Sequence, residues 1–203
     1  MLVTPNRSSV QKSVFDFLLA LCFAVPAFIV CLFCSVLIFA ETSAWPIFRQ
    51  TRIGRDNREF EIYKLRTMSP GTPNVASHDV SSSQITKTGK VIRRLKFDEL
   101  PQIINVLNGT MSFVGPRPCL PSQIELVHAR TVLGVSTLKP GITGPGQIAG
   151  LDMSVPGALS VADATYLGHH SIADDLKYLL QTLLGHGRGD AALAAIERDP
   201  PKT

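Results

Sequence analysis

The chain has 203 residues, a formal net charge of +4 and an isoelectric point near 9.0, a length that suits one domain with an appendage or at most two small domains. The basic balance favours anionic partners such as phosphates or acidic lipids, and the lack of a recognised binding motif makes nucleic acid the weaker choice. The four cysteines show neither a disulfide framework nor metal-ligand spacing, which indicates reduced thiols in a protein that faces the cytoplasm.

An almost uninterrupted apolar run covers residues 17–40 and is long enough to cross a hydrocarbon core about 30 Å thick. Its length and its poor cleavage site argue against a secretory signal peptide. Pro26 lies inside the run, where proline removes a backbone hydrogen bond and kinks a helix. Basic residues flank both ends of the run, and cytoplasmic loops collect such residues. Two alternatives stay open: a spanning helix, and a helix that bends at Pro26 and returns to the cytoplasmic face.

Two short β segments, residues 46–50 and 60–66, flank a turn-rich stretch at 54–58 and predict a β-hairpin. In the second segment Lys64 and Arg66 alternate, so both leave the same face of the strand. Two cations that point the same way form a candidate phosphate site; a solvated strand face is the plain alternative. Trp45, just before the hairpin, suits either an anchor at the membrane interface or a core position. Residues 69–83 predict a loop, in which His78 has no partner at metal-ligand spacing.

Charged side chains that could take part in chemistry are concentrated in residues 91–102, VIRRLKFDELPQ. A basic helix over 86–96 leads to the adjacent carboxylates Asp98 and Glu99. Pro101 fits the first turn of a following helix. The apolar residues of that helix recur at the spacing of one helix face: Leu100, Ile103, Ile104 and Leu107. The two carboxylates should therefore lie at a helix N-terminus near Arg93, a setting that could hold a divalent metal and a phosphate together. Ordinary N-terminal helix charges are the plain alternative.

Arg117 lies between Pro116 and Pro118, which restrict the backbone on both sides. An arginine held in this way is pre-organised for bidentate phosphate binding. Further along, residues 121–135 predict an amphipathic helix and residues 139–147 a rigid loop with several glycines. A last helix, packed on the core or on the membrane surface, is predicted by the apolar stripe Ile172, Leu176, Leu179, Leu180 and Leu183.

These segments, taken in order, resemble the monotopic phosphoglycosyl transferases, the bacterial sugar transferases that begin glycan assembly on polyprenyl phosphate. The resemblance covers most of residues 13–182. The matching segments are FD at 15–16, YKLRTM at 63–68, LKFDELPQ at 95–102, NVL at 105–107, MSFVGPRP at 111–118, KPGITG at 139–144, DLK at 175–177, and Asp163, Tyr166 and Ser171.

The resemblance implies an α+β, mostly helical fold with an N-terminal re-entrant membrane helix, a short β-hairpin and amphipathic helices at the membrane interface. The expected organisation is an N-terminal segment at 1–45 with a helix break near Pro26, a catalytic domain at 46–184, and a C-terminal tail at 185–203. The expected location is the cytoplasmic face of the bacterial inner membrane, with one leaflet entered. The chain looks like the small, single-anchor form of the family.

The resemblance also implies a reaction. Asp98 and Glu99 would carry catalysis with Mg²⁺, bound by one or both carboxylates. Asp98 would attack the β-phosphate of a UDP-sugar, expel UMP and form a phosphosugar-aspartate, and polyprenyl phosphate would then take the phosphosugar. The residues expected to bind the substrates are Lys64, Arg66, Arg93, Arg117 and Gln147. Downstream glycosyltransferases are further candidate partners, and nucleic acid is not.

The loop after Gly144 departs from the family pattern. The family usually continues with Trp-x-Gln and Asn-Gly-Arg, whereas this chain has PGQ at 145–147 and AGL at 149–151. The aromatic residue and the arginine are absent, and Gln147 is the one match. This departure motivates a competing hypothesis: a catalytically silent, membrane-anchored nucleotide-sugar-binding or scaffold protein of the same fold.

Overall fold

The computed structural model of the protein describes residues 7–72, 84–167 and 171–186. His78, most of the loop predicted around it and nearly all of the tail at 185–203 lie outside these residues. Within them, helices predominate over two small sheets of two strands each. The predicted α+β, mostly helical fold is confirmed.

The first helix, α1, spans Arg7–Thr42. Its section Val10–Thr42 has a mean hydropathy of 2.8 and is the one helix among the described residues that is long and apolar enough to cross a membrane. Pro26 lies inside this single helix. The helix therefore continues through the predicted break near Pro26. Proline removes only one hydrogen bond of the helix, and a bend can accommodate its ring. The re-entrant course stays a prediction.

One face of α1 packs against the rest of the protein along most of its length. The buried residues of this face recur every three to seven positions and are mostly small: Asp16, Ala20, Ala27, Cys34 and Ile38. Small side chains let the helix approach the domain closely. The opposite face exposes large apolar side chains, including Phe17, Phe28, Phe33 and Phe39. A continuous exposed apolar surface of this kind marks a contact with lipid.

Polar contacts hold both ends of α1. Near its start, the Lys12 ammonium lies 2.6 Å from the Asp175 carboxylate. At its end, the Glu41 carboxylate accepts hydrogen bonds from the backbone N–H groups of Lys87 (2.9 Å) and Thr88 (3.0 Å). Those two groups belong to the first turn of α2 (Lys87–Arg94), which has no intrahelical partner for them. The long helix is thereby attached to the domain at two distant points.

The predicted β-hairpin is confirmed. Strand β1 (Ile47–Ile53) pairs antiparallel with β2 (Glu59–Leu65), from Ile47 opposite Leu65 to Ile53 opposite Glu59. The connection is a 3₁₀ turn at Arg55–Asn57, in which Asp56 and Asn57 have φ values of 56° and 57°. Asp and Asn are the side chains that tolerate this left-handed region best.

The predicted basic helix is also present as α2, with the Thr86 hydroxyl accepting the Gly89 N–H at its N-terminus. The segment that follows differs from the prediction. Residues Phe97–Gln102 form a 3₁₀ turn, and the α-helix α3 covers only Ile103–Leu107. Pro101 has no N–H for an α-helical bond, so the α-helix begins after it. The change of helical period rotates Ile104 outward, where it is 54% exposed, while Val106 is buried.

Asn105 attaches α3 to the hairpin. Its amide nitrogen donates to the Glu61 carbonyl (2.7 Å), and its amide oxygen accepts the Tyr63 N–H at 3.2 Å. Both groups belong to the edge of β2 that β1 does not use. The buried amide of Asn105 therefore pairs with this edge as a neighbouring strand would.

The later part of the chain surrounds a short parallel pair of strands, the second of which lies in the segment 139–147 that sequence analysis interpreted as a loop. Strand β3 (Ser112–Val114) pairs with β4 (Gly141–Thr143). A Cβ at Gly115 would lie 2.3 Å from the Lys139 carbonyl oxygen, so only glycine permits this close approach. The helices of this region are α4 (Ile124–Val132), α5 (Pro145–Ile148), α6 (Pro156–Ala164) and α7 (Ile172–Leu183), with a 3₁₀ turn at Val135–Thr137.

The main core joins α1 to the domain through residues from five parts of the chain: Ala20, Ile62, Ile103, Phe113 and Tyr166. Helix α7 turns Asp175 inward and leaves most of its apolar stripe exposed, with Leu176 52% and Leu180 57% exposed. Of the two placements predicted for this stripe, the structure therefore favours the membrane surface over the core.

We expect Asn105→Ala to destabilise the protein by about 1–3 kcal/mol, because the edge of β2 loses two hydrogen bonds at a buried position. Thermal unfolding followed by circular dichroism in detergent measures the effect. Asn108→Ala is the matched control, since Asn108 is exposed and contacts only its local turn. Equal losses in the two variants would contradict the proposed anchoring.

Candidate active site

Glu99 is the centre of a cluster of charged side chains. One oxygen of its carboxylate lies 2.6 Å from Nη2 of Arg117 and 3.4 Å from Nζ of Lys64. Lys64 comes from β2, Glu99 from the 3₁₀ turn, and Arg117 from the Pro-Arg-Pro segment after β3. Lys96, in a left-handed conformation with φ of 58°, reverses the chain just before the turn. Three separate elements therefore meet at one carboxylate.

The surroundings of Glu99 favour its charged form. Burial by itself would raise the pKa of this carboxyl group, but the positive charges of Arg117 and Lys64 outweigh burial and hold the pKa well below its ordinary value. For Lys64 the balance is different, because burial and the charge of Arg117 lower its pKa despite Glu99. Glu99 is therefore an anion at neutral pH and organises the two cations around it.

Asp98 lies beside Glu99 in the first turn of the same 3₁₀ segment, half-buried. Its negative charge reaches Lys64, so both carboxylates act in one electrostatic environment. Residues 7–72, 84–167 and 171–186 contain no group of three or more His, Cys, Asp and Glu side chains that could hold a metal ion. The two adjacent carboxylates nevertheless fit Mg²⁺, which takes one or two protein carboxylates when substrate phosphates complete its shell.

Two buried arginines hold the backbone of the Pro-Arg-Pro segment. Arg130 donates from Nη1 to the Arg117 carbonyl at 2.8 Å, and Arg52 donates to the Pro118 carbonyl at 3.2 Å. Arg130 is itself paired with the fully buried Asp163, at 2.6 Å. These contacts orient the Arg117 guanidinium toward Glu99. Sequence analysis missed Arg52 and Arg130, because only their partners in space, which are far away in sequence, reveal their role.

Arg52 leaves the cluster with an excess of positive charge. It is 8% exposed, and no carboxylate lies within ion-pair distance of it in the part of the chain that the structure describes. Burial, and next the charge of Arg117, lower the pKa of Arg52 to about 10. A guanidinium buried without a counter-ion is costly, and an anion bound nearby would offset that cost. The region around Glu99 is therefore suited to a multiply charged anion.

The other three residues predicted to bind substrates lie elsewhere. Arg66 donates to the Trp45 carbonyl at 2.8 Å and lies over the Phe48 ring, so the structure does not bring it to Glu99 together with Lys64. The two side chains diverge because β2 ends at Leu65. Trp45 is 71% exposed, which favours the interfacial placement over the core placement.

Arg93 is buried and donates from Nε to the Thr67 hydroxyl at 2.8 Å, while its Nη1 has no hydrogen-bond partner among the described residues. Gln147 donates its amide nitrogen to the Ile142 carbonyl at 2.8 Å, which leaves its oxygen as the group that could accept from a ligand. Among the described residues, no hydrogen bond or ion pair joins Arg93 or Gln147 to Glu99. Their predicted roles in substrate binding stay predictions.

Breaking the Arg130–Asp163 pair should be costly. We expect Asp163→Asn to destabilise the protein by about 3–5 kcal/mol, because it leaves the Arg130 guanidinium buried without its charge partner. Asp56→Asn provides a matched control, since the Arg55–Asp56 pair is about half exposed and such pairs contribute at most about 1 kcal/mol. Thermal unfolding of both variants in detergent tests the contrast, and a similar effect of the two changes would refute it.

The lowered pKa of Glu99 predicts a pH dependence of stability. Its stabilising contribution is complete above the unfolded value, about 4.3, and is lost as the pH falls toward the lower folded value. Between about pH 5 and pH 3 the unfolding temperature of the wild type should therefore fall more steeply than that of Glu99→Gln. Parallel curves for the two proteins would contradict the assignment. The exposed Glu59 provides the control variant Glu59→Gln.

Comparison with known proteins identifies the family to which the chain is similar. A family model described as "Bacterial sugar transferase" matches residues 7–188. A Bacillus subtilis protein named "Uncharacterized sugar transferase EpsL" is 33% identical over 174 residues, which are 86% of each chain. A UDP-glucose:undecaprenyl-phosphate glucose-1-phosphate transferase from Caulobacter vibrioides is 34% identical over 172 residues, 77% of this chain and 64% of the relative.

An Aeromonas hydrophila UDP-N-acetylgalactosamine-undecaprenyl-phosphate N-acetylgalactosaminephosphotransferase is 37% identical over 139 residues, 64% of this chain and 32% of the relative. The chain thus spans nearly all of the Bacillus relative and about a third of the Aeromonas one. Together with the family match over most of the chain, these similarities show that the protein belongs to the bacterial sugar transferase family.

Proposed function

We propose that this protein transfers a sugar phosphate from a UDP-sugar to polyprenyl phosphate, such as undecaprenyl phosphate, and releases UMP. The relatives from Caulobacter and Aeromonas are named for transfers of this class. The observation that carries the proposal is the pair Asp98–Glu99 within the cluster of Lys64, Arg117 and Arg52. A diphosphate supplies the negative charge that this cluster lacks.

The two carboxylates differ in what they can do. Glu99 is paired with Lys64 and Arg117, so we assign it to holding these two cations in position. We assign the attack to Asp98. Its carboxylate oxygen forms a bond to the β-phosphorus, the bond from that phosphorus to the bridging oxygen breaks, and UMP leaves with that oxygen. An oxygen of polyprenyl phosphate then attacks the same phosphorus, which frees the aspartate and yields a polyprenyl diphosphate sugar.

The attack brings one anion against another, so charge must be neutralised. Lys64 and Arg117 lie where they could contact the diphosphate, and Glu99 keeps both in position. Mg²⁺ held by Asp98 and Glu99 would supply further positive charge on the phosphate oxygens. Arg52 and Arg130 act indirectly, since they donate hydrogen bonds to the backbone carbonyls of Pro118 and Arg117.

The proposed location is the cytoplasmic face of the bacterial inner membrane, as the first membrane step of polysaccharide, O-antigen or glycoprotein assembly. The exposed apolar faces of α1 and α7 support membrane contact. The re-entrant course of α1 would hold the site at headgroup level, where the phosphate of a polyprenyl carrier lies.

The competing hypothesis, a silent binding or scaffold protein, is motivated by the loop after Gly144. Gly146 lies so close to α6 that a Cβ there would be 2.3 Å from the Leu159 side chain. Gln147 directs its amide nitrogen inward, to Ile142. This loop therefore presents fewer side-chain groups to a bound nucleotide sugar than the family pattern implies. Binding of a UDP-sugar without any release of UMP would favour this hypothesis.

The experiment is UMP release by protein in nanodiscs, supplied with undecaprenyl phosphate, Mg²⁺ and a panel of UDP-sugars. We expect at least one UDP-sugar to be turned over. Asp98→Asn should lower the rate at least about a thousandfold because the nucleophile is lost, and Glu99→Gln by about a hundredfold or more because the cations lose their anchor. Removal of Mg²⁺ with EDTA should abolish turnover, and added Mg²⁺ should restore it.

Asp56→Asn, on the exposed hairpin turn, is the matched carboxylate control and should retain wild-type activity. Rapid acid quenching followed by mass spectrometry should find a sugar phosphate on Asp98. An active Asp98→Asn variant, or the adduct on a different residue, would rule out the assigned nucleophile.

A further inference from the structure

A groove with a volume of about 410 Å³ lies at the N-terminal end of α1. One wall consists of apolar side chains of that helix, about half exposed: Val10, Val14, Phe17 and Leu18. The other wall carries two cations, Arg55 from the hairpin turn and Lys139 from the segment before β4. The groove therefore combines a lipid-facing helix surface with positive charge at its rim.

The groove is separate from the cluster around Glu99. Neither Glu99 nor Asp98 lines it. In the turn that carries these carboxylates, Phe97 packs against the core cluster that contains Cys34 of α1, and Leu100 packs against the cluster that contains Ala20 and Ala27. A molecule whose phosphate is held between Arg55 and Lys139 would thus occupy a groove that the proposed nucleophile does not line.

The two cations of the groove have little local compensation. The nearest hydrogen-bond partner of Lys139 is the Ser13 hydroxyl at 3.4 Å, and no carboxylate lies within ion-pair distance of Lys139 among the described residues. Arg55 is 3.6 Å from Asp56, and both side chains of that pair are about half exposed. Burial lowers the pKa of Lys139, Asp16 opposes that effect, and the charges of Arg55 and Lys12 add to it. An anion between Arg55 and Lys139 would relieve this repulsion.

We propose that the groove binds one anionic phospholipid of the bilayer, with the headgroup phosphate between Arg55 and Lys139 and an acyl chain along Val14, Phe17 and Leu18. A guanidinium and an ammonium together suit a phosphodiester. The apolar wall is continuous with the exposed face of α1, so the acyl chain can extend from the groove into the leaflet. Such a lipid would hold the start of α1 at headgroup level.

Two other sources of phosphate fit the groove less well. Free inorganic phosphate would leave the apolar wall unused. Polyprenyl phosphate, as the proposed acceptor, has to bring its phosphate to Asp98, which does not line the groove. The exclusion of polyprenyl phosphate rests on the proposed function, whereas retention of a phospholipid is measured without a UDP-sugar and can fail or succeed independently of that function.

The test uses the full chain in nanodiscs of about four parts dioleoylphosphatidylcholine to one part dioleoylphosphatidylglycerol. Native mass spectrometry after gentle release counts the retained lipids. We expect about one phosphatidylglycerol per wild-type chain, and at least about fivefold less for the double variant Arg55→Gln and Lys139→Gln, because both phosphate contacts are removed. Arg58→Gln is the matched control, since Arg58 is an exposed cation next to the same turn and does not line the groove. It should retain phosphatidylglycerol as the wild type does.

Competition completes the test. Neither excess inorganic phosphate nor an equimolar amount of undecaprenyl phosphate should displace the retained phosphatidylglycerol. The proposal is overturned if the double variant retains the lipid as well as the wild type does, if phosphatidylcholine is retained equally, or if either competitor displaces it. Unchanged circular dichroism and unfolding temperature of the double variant would show that any loss of lipid does not come from misfolding.

Discussion

The candidate site depends on how the buried amide of Asn105 meets the edge of β2. A two-stranded hairpin leaves one edge of each strand unpaired, and the Asn105 side chain pairs with the N–H of Tyr63 and the carbonyl of Glu61 on that edge. This contact sets the distance between α3 and β2. Because the 3₁₀ turn that carries Glu99 directly precedes α3, and Lys64 directly follows Tyr63, the same contact brings the acid and its lysine together.

The charged residues around Glu99 act in two layers: two cations contact Glu99 directly, and two arginines hold the backbone that carries one of them. Glu99 holds Lys64 and Arg117 directly, and the backbone at Arg117 is held in turn by the buried guanidinium groups of Arg52 and Arg130. Packing and hydrogen bonds restrict the guanidinium of Arg117 before any ligand arrives, which lowers the cost of binding an anion. The excess of positive charge favours a negatively charged ligand. Under the proposed function, a site built in this way is prepared for phosphate chemistry at a carboxylate.

Membrane contact and the site are linked through α1. Its small side chains face the domain, its large apolar side chains face outward, and Lys12 and Glu41 attach its two ends to Asp175 and to the start of α2. The domain therefore cannot move far from the membrane without breaking these contacts. If the protein acts on a lipid-linked phosphate, as we propose, this coupling would keep the site close to the bilayer more firmly than a detached anchor would.

The sequence by itself determined the elements whose cause is local: the apolar helix, the hairpin, the basic helix, and an arginine at position 117 held between two prolines. It also placed two carboxylates at a helix start, although the helix there is a 3₁₀ turn and Ile104 faces outward. Only the tertiary structure decided that Lys64 and not Arg66 meets Glu99, and that Arg130 supports Arg117. Those outcomes rest on contacts between residues far apart in the chain, and no local spacing or propensity encodes them.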